Sequence, residues 1–215
     1  MAERDPAASL PSTALAGLSV VELGVADAPL LQRFFDDNPA YFLAVQGEPA
    51  GPAEAREELA GLPPDGWPYT RKCVIGWRDA DGGLAAMAEV ITDLLAPGVW
   101  HIGLFIVATA RHGGGAARTL VDELEAWARA SGARWLRLGV VVGNTRAERF
   151  WTARGFVAMR TRGGYRMGSR ENVICTMAKP IAEEDLVRYL ALVERDRPES
   201  AGQPASIPLK DSARS

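Results

Sequence analysis

The chain has 215 residues, a formal net charge of −3 and only two cysteines, Cys73 and Cys175. This length suits one domain with its own core, and the weakly acidic charge argues against a general nucleic-acid binder. No apolar run reaches the roughly 18 residues of a membrane-spanning helix, and the first residues lack a signal-peptide pattern. Neither cysteine has partners at metal-ligand spacing. We therefore expect a cytoplasmic protein that binds no nucleic acid, membrane or metal.

The first part of the chain predicts a loose start, a short strand and short helices. Residues 1–16 are rich in Ala, Pro and Ser, which is typical of a flexible segment. A strand over 18–23 precedes a helix over 28–37, whose apolar residues recur at helical spacing. A second helix is predicted over 52–60. The apolar stretch 41–45 between the two helices does not favour either state.

The middle of the chain predicts a hairpin, and then a strand that runs into a glycine turn. Strands over 72–78 and 84–92 flank the turn sequence Asp-Ala-Asp-Gly-Gly. The stretch 99–107 is β-branched and aromatic, and 115–131 is apolar at helical spacing. Between them lies the turn His-Gly-Gly-Gly. Because the first N–H groups of a helix lack internal partners and carry positive potential, this corner predicts an anion site.

The last part of the chain predicts a strand, a helix and two further strands. A strand over 134–142 leads into a helix over 144–154, with glycine directly after it as a left-handed terminator. Strands over 156–162 and 172–178 follow, joined by a link rich in Gly and Arg. The predicted order of elements is therefore strand, two helices, three strands, helix, strand, helix and two strands.

Two motifs, one in the glycine turn and one in the helix after the next strand, are the most specific feature of the chain. The second reads NTRAERFWTARGF from Asn144, and the first can start at Arg111 or at His112. Together they resemble Q/R-x-x-G-x-G/A and N-x-x-A-x-x-F/L-Y-x-x-x-G-F, the signatures of the GNAT superfamily of N-acetyltransferases. Trp151 stands where the family usually has Tyr. We prefer the start at His112, because it keeps the family's five-residue step from the strand end at Val107.

The resemblance implies a fold class and a division of the chain. The class is α/β (α+β), with a mixed, mostly antiparallel central sheet of about seven strands, splayed at strands 4 and 5 and flanked by helices. The acetyltransferase domain would span 17–180, after the flexible segment 1–16. An extra helix is predicted over 181–196 and a disordered tail over 197–215. Whether the extra helix packs on the domain or builds a homodimer is left open.

The resemblance also implies an activity. This is the transfer of an acetyl group from acetyl-CoA, as co-substrate, to a primary amine of a small molecule by direct attack in a ternary complex. Two alternatives remain open, a protein or peptide N-terminal acetyltransferase and a non-catalytic CoA-binding module. The implied cofactor-binding residues lie at the end of the fourth strand, in the glycine turn and on the two following helices: Phe105, Ile106, Val107, His112, Gly113, Gly114, Gly115, Ala116, Ala117, Arg118, Asn144, Phe150 and Trp151.

The chemistry requires a base, because an alkyl ammonium with a pKa of about 10.4 must lose a proton before it attacks. His101 lies where one branch of the family has a Glu base, and histidine titrates near neutral pH. Glu89 on the preceding strand is the second candidate. An indole N–H cannot protonate the CoA thiolate, so the position of Trp151 leaves that step to water or to Tyr165.

The acceptor site is expected near the first two helices and the link between the last two strands. Aromatic residues beside acids there would suit a cationic amine; they are Tyr41, Phe42, Trp67, Tyr69, Asp36 and Asp37. Several arginines would instead favour an acceptor that also carries a carboxylate; they are Arg160, Arg162, Arg166 and Arg170. An alternative of equal weight is that the aromatic residues belong to the hydrophobic core and the acidic residues are exposed to solvent.

Overall fold

The computed structural model describes residues 9–198, which are organised around one seven-stranded sheet with the order β1-β2-β3-β4-β5-β7-β6. The strands are β1 Ser19–Leu23, β2 Arg71–Arg78, β3 Leu84–Thr92, β4 Val99–Val107, β5 Trp135–Val141, β6 Val157–Met167 and β7 Arg170–Pro180. Neighbouring strands are antiparallel except for β4 and β5, which are parallel. The predicted fold class is therefore confirmed.

Helices cover both faces of the sheet. They are α1 Ala28–Asp37, α2 Ala40–Val45, α3 Glu54–Ala60, α4 Ala116–Ala130, α5 Thr145–Ala153 and α6 Leu186–Leu192. The apolar side chains of α1 and α4 recur at helical spacing and are buried in two separate clusters, one with α1 to α3 and one with α4 and α5. Burial of these stripes, rather than helix propensity, stabilises the short helices.

The structure differs from the sequence-based expectation in three segments. The stretch 41–45, which could not be assigned, lies in α2. The Gly- and Arg-rich link is not a loop, because β6 and β7 continue into a long hairpin. Its tip is held by α2, since Asn172 Nδ2 donates to the Val45 carbonyl at 2.8 Å and Arg170 Nη1 donates to the Ala44 carbonyl at 2.8 Å. The extra helix is shorter than 181–196 and begins only at Leu186.

Both ends of the described chain pack on the domain. The Trp127 indole N–H donates to the Ser9 carbonyl at 2.7 Å, which places the start of the described chain against α4. At the other end, Asp196 is fully buried. The remainder of the predicted flexible segment, 1–8, and of the predicted tail, 199–215, lies outside the described residues. Within residues 9–198, no helix is long and apolar enough to cross a bilayer.

The sheet opens between its two parallel strands. β4 and β5 pair only from Val99 and Trp135 to Ile102 and Leu138, and beyond those residues they separate. On the other side of β4, the register with β3 shifts between Glu89 and Val90, so that one extra residue of β4 forms a β-bulge. The ends of β4 and β5 therefore face each other across a gap, with free backbone groups along both edges.

Candidate active site

The glycine turn between β4 and α4 presents a row of backbone N–H groups. Gly113 and Gly115 have φ angles of +83° and +84°, a conformation that glycine adopts without strain. α4 begins at Ala116 without a side-chain cap. Within residues 9–198, no neighbouring atom lies within 4 Å of a Cβ added at any of the three glycines. Among residues 9–198, none accepts a hydrogen bond from the N–H groups of 113–117.

This corner fits a diphosphate. Unpartnered amides and the N-terminal end of a helix dipole together bind phosphate oxygens. The His112 ring donates from Nε2 to the Val107 carbonyl at 2.9 Å, because a carbonyl can only accept, and this bond ties the turn to the end of β4. Arg118 lies in the first turn of α4, with 70% of its side chain exposed and a long 3.8 Å contact to Asp122.

A cleft of about 280 Å³ runs from this turn to the splayed strands. We call it the outer cleft. It begins at His112 and Ala117 and passes along the end of β4. The residues that line the rest of the outer cleft include Phe105, Ile106, Val107, Asn144, Phe150 and Trp151. Asn144 also caps α5, since its Oδ1 accepts from the Ala147 N–H at 3.2 Å.

A second space of about 420 Å³, the central cavity, fills the gap between β4 and β5. It shares Tyr41, Phe105, Asn144, Ala147 and Trp151 with the outer cleft, so the two spaces meet at these residues. A larger space of about 640 Å³ lies between α1 and the β2–β3 turn. The larger space is lined by the carboxylates of Asp37, Asp79 and Asp81 and by none of the glycine-turn amides. It is therefore unsuitable for phosphates.

Glu89 places a carboxylate in the central cavity, where the β-bulge turns its side chain across Gly103. Its Oε1 is 2.9 Å from Lys72 Nζ, and only 15% of the side chain is exposed. Lys72 is itself held by the backbone carbonyls of Glu58 and Gly61. Oε2 lies against Gly103 so closely that a Cβ at that position would overlap it. One carboxylate oxygen is therefore anchored, and the other is available to a ligand.

The arrangement has a counterpart among known protein families. The model of the acetyltransferase (GNAT) family matches residues 26–156, which is more than half of the chain. The chain belongs to the GNAT family of acetyltransferases. The match includes the glycine turn, the splayed strands and the second motif. The interpretation as an acyltransferase enzyme is thereby confirmed.

Solved bacterial structures share the fold. An acetyltransferase from Thermus thermophilus has a TM-score of 0.61 at 21% identity, covering 79% of this chain and 99% of the other. Spermidine N-acetyltransferase from Vibrio cholerae, in complex with CoA and spermine, has a TM-score of 0.58 at 18% identity, covering 77% and 96%. The ribosomal-protein-S18-alanine N-acetyltransferase from Escherichia coli has a TM-score of 0.57 at 17% identity, covering 78% and 96%. No curated protein resembles this chain closely in sequence.

His101 lines the central cavity of this acetyltransferase, and its surroundings weaken it as a base. Arg137 Nη1 lies 3.2 Å from its Nδ1, and because a guanidinium only donates, Nδ1 accepts and the ring proton resides on Nε2. Burial and then the positive charge of Arg137 lower the pKa of His101 to about 3, against the weaker effect of Asp196. His101 is therefore a neutral N–H donor near neutral pH, which favours Glu89 as the proton acceptor.

Arg137 is held by a buried ion pair that the motifs did not reveal. Asp196 accepts from its Nε at 2.8 Å and its Nη2 at 3.1 Å, and Tyr189 Oη donates to the same carboxylate at 2.5 Å. Burial raises the pKa of Asp196, but the Arg137 guanidinium outweighs this and holds it below its usual range. The described C-terminal segment thus contributes to one wall of the cavity through Arg137. A lone arginine in a strand and an aspartate beyond the motifs carry no signal of this pairing.

Aromatic residues form the junction of the two spaces. Trp151 is 8% exposed and packs against Phe105, Phe150 and Phe156 with ring-centroid distances of 5.9, 5.0 and 5.2 Å. It occupies the junction without offering a titratable proton. Tyr165, the candidate acid, lies in β6 and also lines the central cavity.

The pH dependence of stability tests the environment of His101. Folded His101 titrates near pH 3, whereas an unfolded histidine titrates near about 6.5. Between those values the unfolded chain binds a proton that the folded chain does not, so stability rises with pH. We expect His101 to account for a loss of about 2 kcal/mol in the free energy of unfolding between about pH 7 and about pH 4.5. Urea unfolding of wild type and His101→Gln at the two pH values measures this loss, with His112→Gln as control. Equal losses in all three proteins would contradict the prediction.

Proposed function

We propose that this enzyme transfers an acetyl group from acetyl-CoA to a primary amine of a small molecule, by direct attack within a ternary complex. The observation that carries the proposal is the junction of the outer cleft with the central cavity. The cleft starts at the glycine turn, the cavity contains the Glu89 carboxylate, and both include Phe105 and Trp151. A carrier held in the cleft and an amine held in the cavity would meet at that junction.

The residues of the cleft suit the carrier. When bound, acetyl-CoA supplies the thioester whose carbonyl carbon the amine attacks. The N–H groups of 113–117 bind its diphosphate, and Arg118 adds positive charge beside them. The backbone of 105–107, which has no strand partner towards β5, hydrogen-bonds the pantetheine arm. Asn144 and Phe150 line the path between them.

Glu89 is proposed as the proton acceptor. An alkyl ammonium is attracted to its carboxylate and must give up one proton before its nitrogen lone pair can attack. Since Lys72 holds Oε1, that proton passes to Oε2, directly or through one water. His101 contributes a hydrogen bond from Nε2 into the cavity.

The leaving thiolate takes its proton from water or from Tyr165, and the second proton that the acceptor nitrogen loses as the tetrahedral intermediate collapses passes to water. Trp151 cannot supply one, and its buried ring instead excludes water from the junction. A free thiol has a pKa of about 8.5, so a thiolate is a stable enough leaving group for a dedicated acid to be dispensable.

The shape of the cavity supports a small acceptor over the alternative of a protein or peptide N-terminus. The β6–β7 hairpin is bonded to the end of α2 through Asn172 and Arg170, and Val45 and Met167 on these elements both line the cavity. An extended peptide would have to part these contacts. The likeness in fold to a ribosomal-protein-S18-alanine N-acetyltransferase keeps this alternative as an outcome of the test below.

An amine panel tests the proposed function. Free CoA is followed with a thiol reagent during incubation of acetyl-CoA with polyamines, amino acids, simple alkylamines and short peptides with free N-termini. We expect CoA release with at least one small primary amine and none with its N-acetylated form. Release only with peptides would support the alternative. Tight binding of acetyl-CoA, with no CoA released in the presence of any amine of the panel, would contradict amine acetylation.

A further inference from the structure

Two arginines that have no carboxylate partner among residues 9–198 adjoin the side of the central cavity away from Glu89. Arg162 in β6 is the register partner of Ile174 in β7, and paired residues of antiparallel strands point to the same face. Ile174 lines the cavity, so Arg162 lies on the cavity side of the sheet. Arg195, beyond α6, places its guanidinium carbon 3.6 Å from the centre of the Trp67 ring, which also lines the cavity.

The hydrogen bonds of these arginines are incomplete. Arg162 Nη2 donates to the backbone carbonyl of Arg195, which is neutral. The Nε atoms of both residues are buried and have no acceptor within the described part of the chain. Among residues 9–198, no carboxylate forms an ion pair with either side chain, whereas Arg137 nearby is paired with Asp196. Two guanidinium groups are therefore left with donors that no carboxylate of the described residues satisfies.

The electrostatic potential at this wall is positive. Burial, followed by the charges of Arg162 and Arg137, lowers the pKa of Arg195 to about 10 against the opposing effect of Asp196. Asp196 is already engaged by Arg137 and Tyr189. Buried charges with unsatisfied donors destabilise a protein unless an opposite charge approaches them. A ligand oxyanion would supply that charge, and a planar guanidinium binds it with two parallel hydrogen bonds.

We propose that the acceptor carries a carboxylate that binds between Arg162 and Arg195, while its amine lies towards Glu89 on the opposite wall. The proposal rests on the proposed function and narrows the acceptor to an amine that also bears an oxyanion, such as an amino acid. The positive wall and the Glu89 carboxylate then orient the molecule, because each attracts only one of its ends. Arg166, on the same strand but exposed, has no part in this site.

The test compares acceptors that differ only in the charged end. Amino acids with the amine at different distances from the carboxylate are assayed beside their primary amides and the matching aminophosphonates. We expect the best carboxylate to have a KM at least tenfold below that of its amide, with the KM for acetyl-CoA unchanged. Stronger use of the phosphonate would assign the site to a phosphoryl group. Equal KM values for carboxylate, phosphonate and amide would overturn the proposal.

Variants locate the effect. Arg162→Gln and Arg195→Gln should each raise the KM for the carboxylate about tenfold and abolish its advantage over the amide. Arg166→Gln, which removes the same charge from the same strand, should preserve the advantage. If Arg162→Gln does not fold, Arg162→Lys replaces it: this variant keeps the charge but lacks the planar pair of donors, so the advantage of the carboxylate over the amide should shrink. A preference that survives in both the Arg162 and the Arg195 variants would also overturn the proposal.

Binding without turnover separates this inference from the proposed function. Calorimetry measures each acceptor pair against the protein saturated with CoA, which cannot react. If no amine releases CoA, the proposed function fails, but selective binding of carboxylates that is lost in the Arg162 variant would still support the oxyanion site. If amines release CoA but calorimetry finds no preference for carboxylates, the inference fails and the proposed function stands.

Discussion

Replacing Glu89 by Gln is expected to lower kcat by about 10²- to 10³-fold and to leave the affinity for acetyl-CoA within about twofold. The amide can still accept from Lys72 Nζ through Oε1, so the anchor at 2.9 Å is retained while the charge and the proton-accepting oxygen are lost. The carboxylate is distant from the glycine turn in the chain and lines only the central cavity. The loss should therefore appear in the chemical step rather than in binding of the carrier.

Steady-state kinetics at saturating acetyl-CoA, with calorimetry for the carrier, make the measurement. Glu22→Gln is the matched control, because Glu22 also forms an ion pair with a β2 cation, Arg71, but lies on β1 outside the cavity. His101→Gln gives the comparison between the two candidate bases, and we expect it to cost less than Glu89→Gln. A larger loss in the His101 variant would assign proton transfer to His101, and full activity in the Glu89 variant would exclude Glu89.

Replacing Gly114 by Asp is expected to weaken CoA and acetyl-CoA binding by about 100-fold, with little change in stability. Unlike Gly113 and Gly115, Gly114 does not have a left-handed φ, and a Cβ there meets no atom within 4 Å. An aspartate can therefore be accommodated. Its carboxylate would face the row of N–H groups, compete for them and repel the diphosphate.

Calorimetry with CoA and with pantetheine distinguishes this effect from misfolding. Pantetheine lacks the diphosphate, so its binding should be equal in wild type and variant. Gly24→Asp is the control for a carboxylate placed on an open glycine, because Gly24, with a φ of −107°, also lacks a left-handed conformation and has free space around it. Unchanged CoA affinity in Gly114→Asp would remove the glycine turn from the carrier site.

Local patterns account for most of the fold that the sequence predicted. The strand over 99–107, the glycine turn and the helix after it form as expected, because periodicity and turn residues act within a few positions. The state of 41–45 and the length of the β6–β7 hairpin did not follow from the sequence. Both depend on contact between α2 and the hairpin, which are more than a hundred residues apart, and no local pattern reports such a contact.

The sequence by itself determined the family, the order of the elements and the row of amides at the start of α4, since backbone donors depend on glycines and a helix start rather than on distant partners. Only the tertiary structure decided the electrostatics of the cavity. Asp196 lies 59 residues beyond Arg137 in the chain, yet it holds the guanidinium that contacts His101. Hydrogen-bond roles and pKa values depend on burial and on charges that the fold brings together. A histidine that looks like a base in the sequence therefore becomes a neutral donor in the fold.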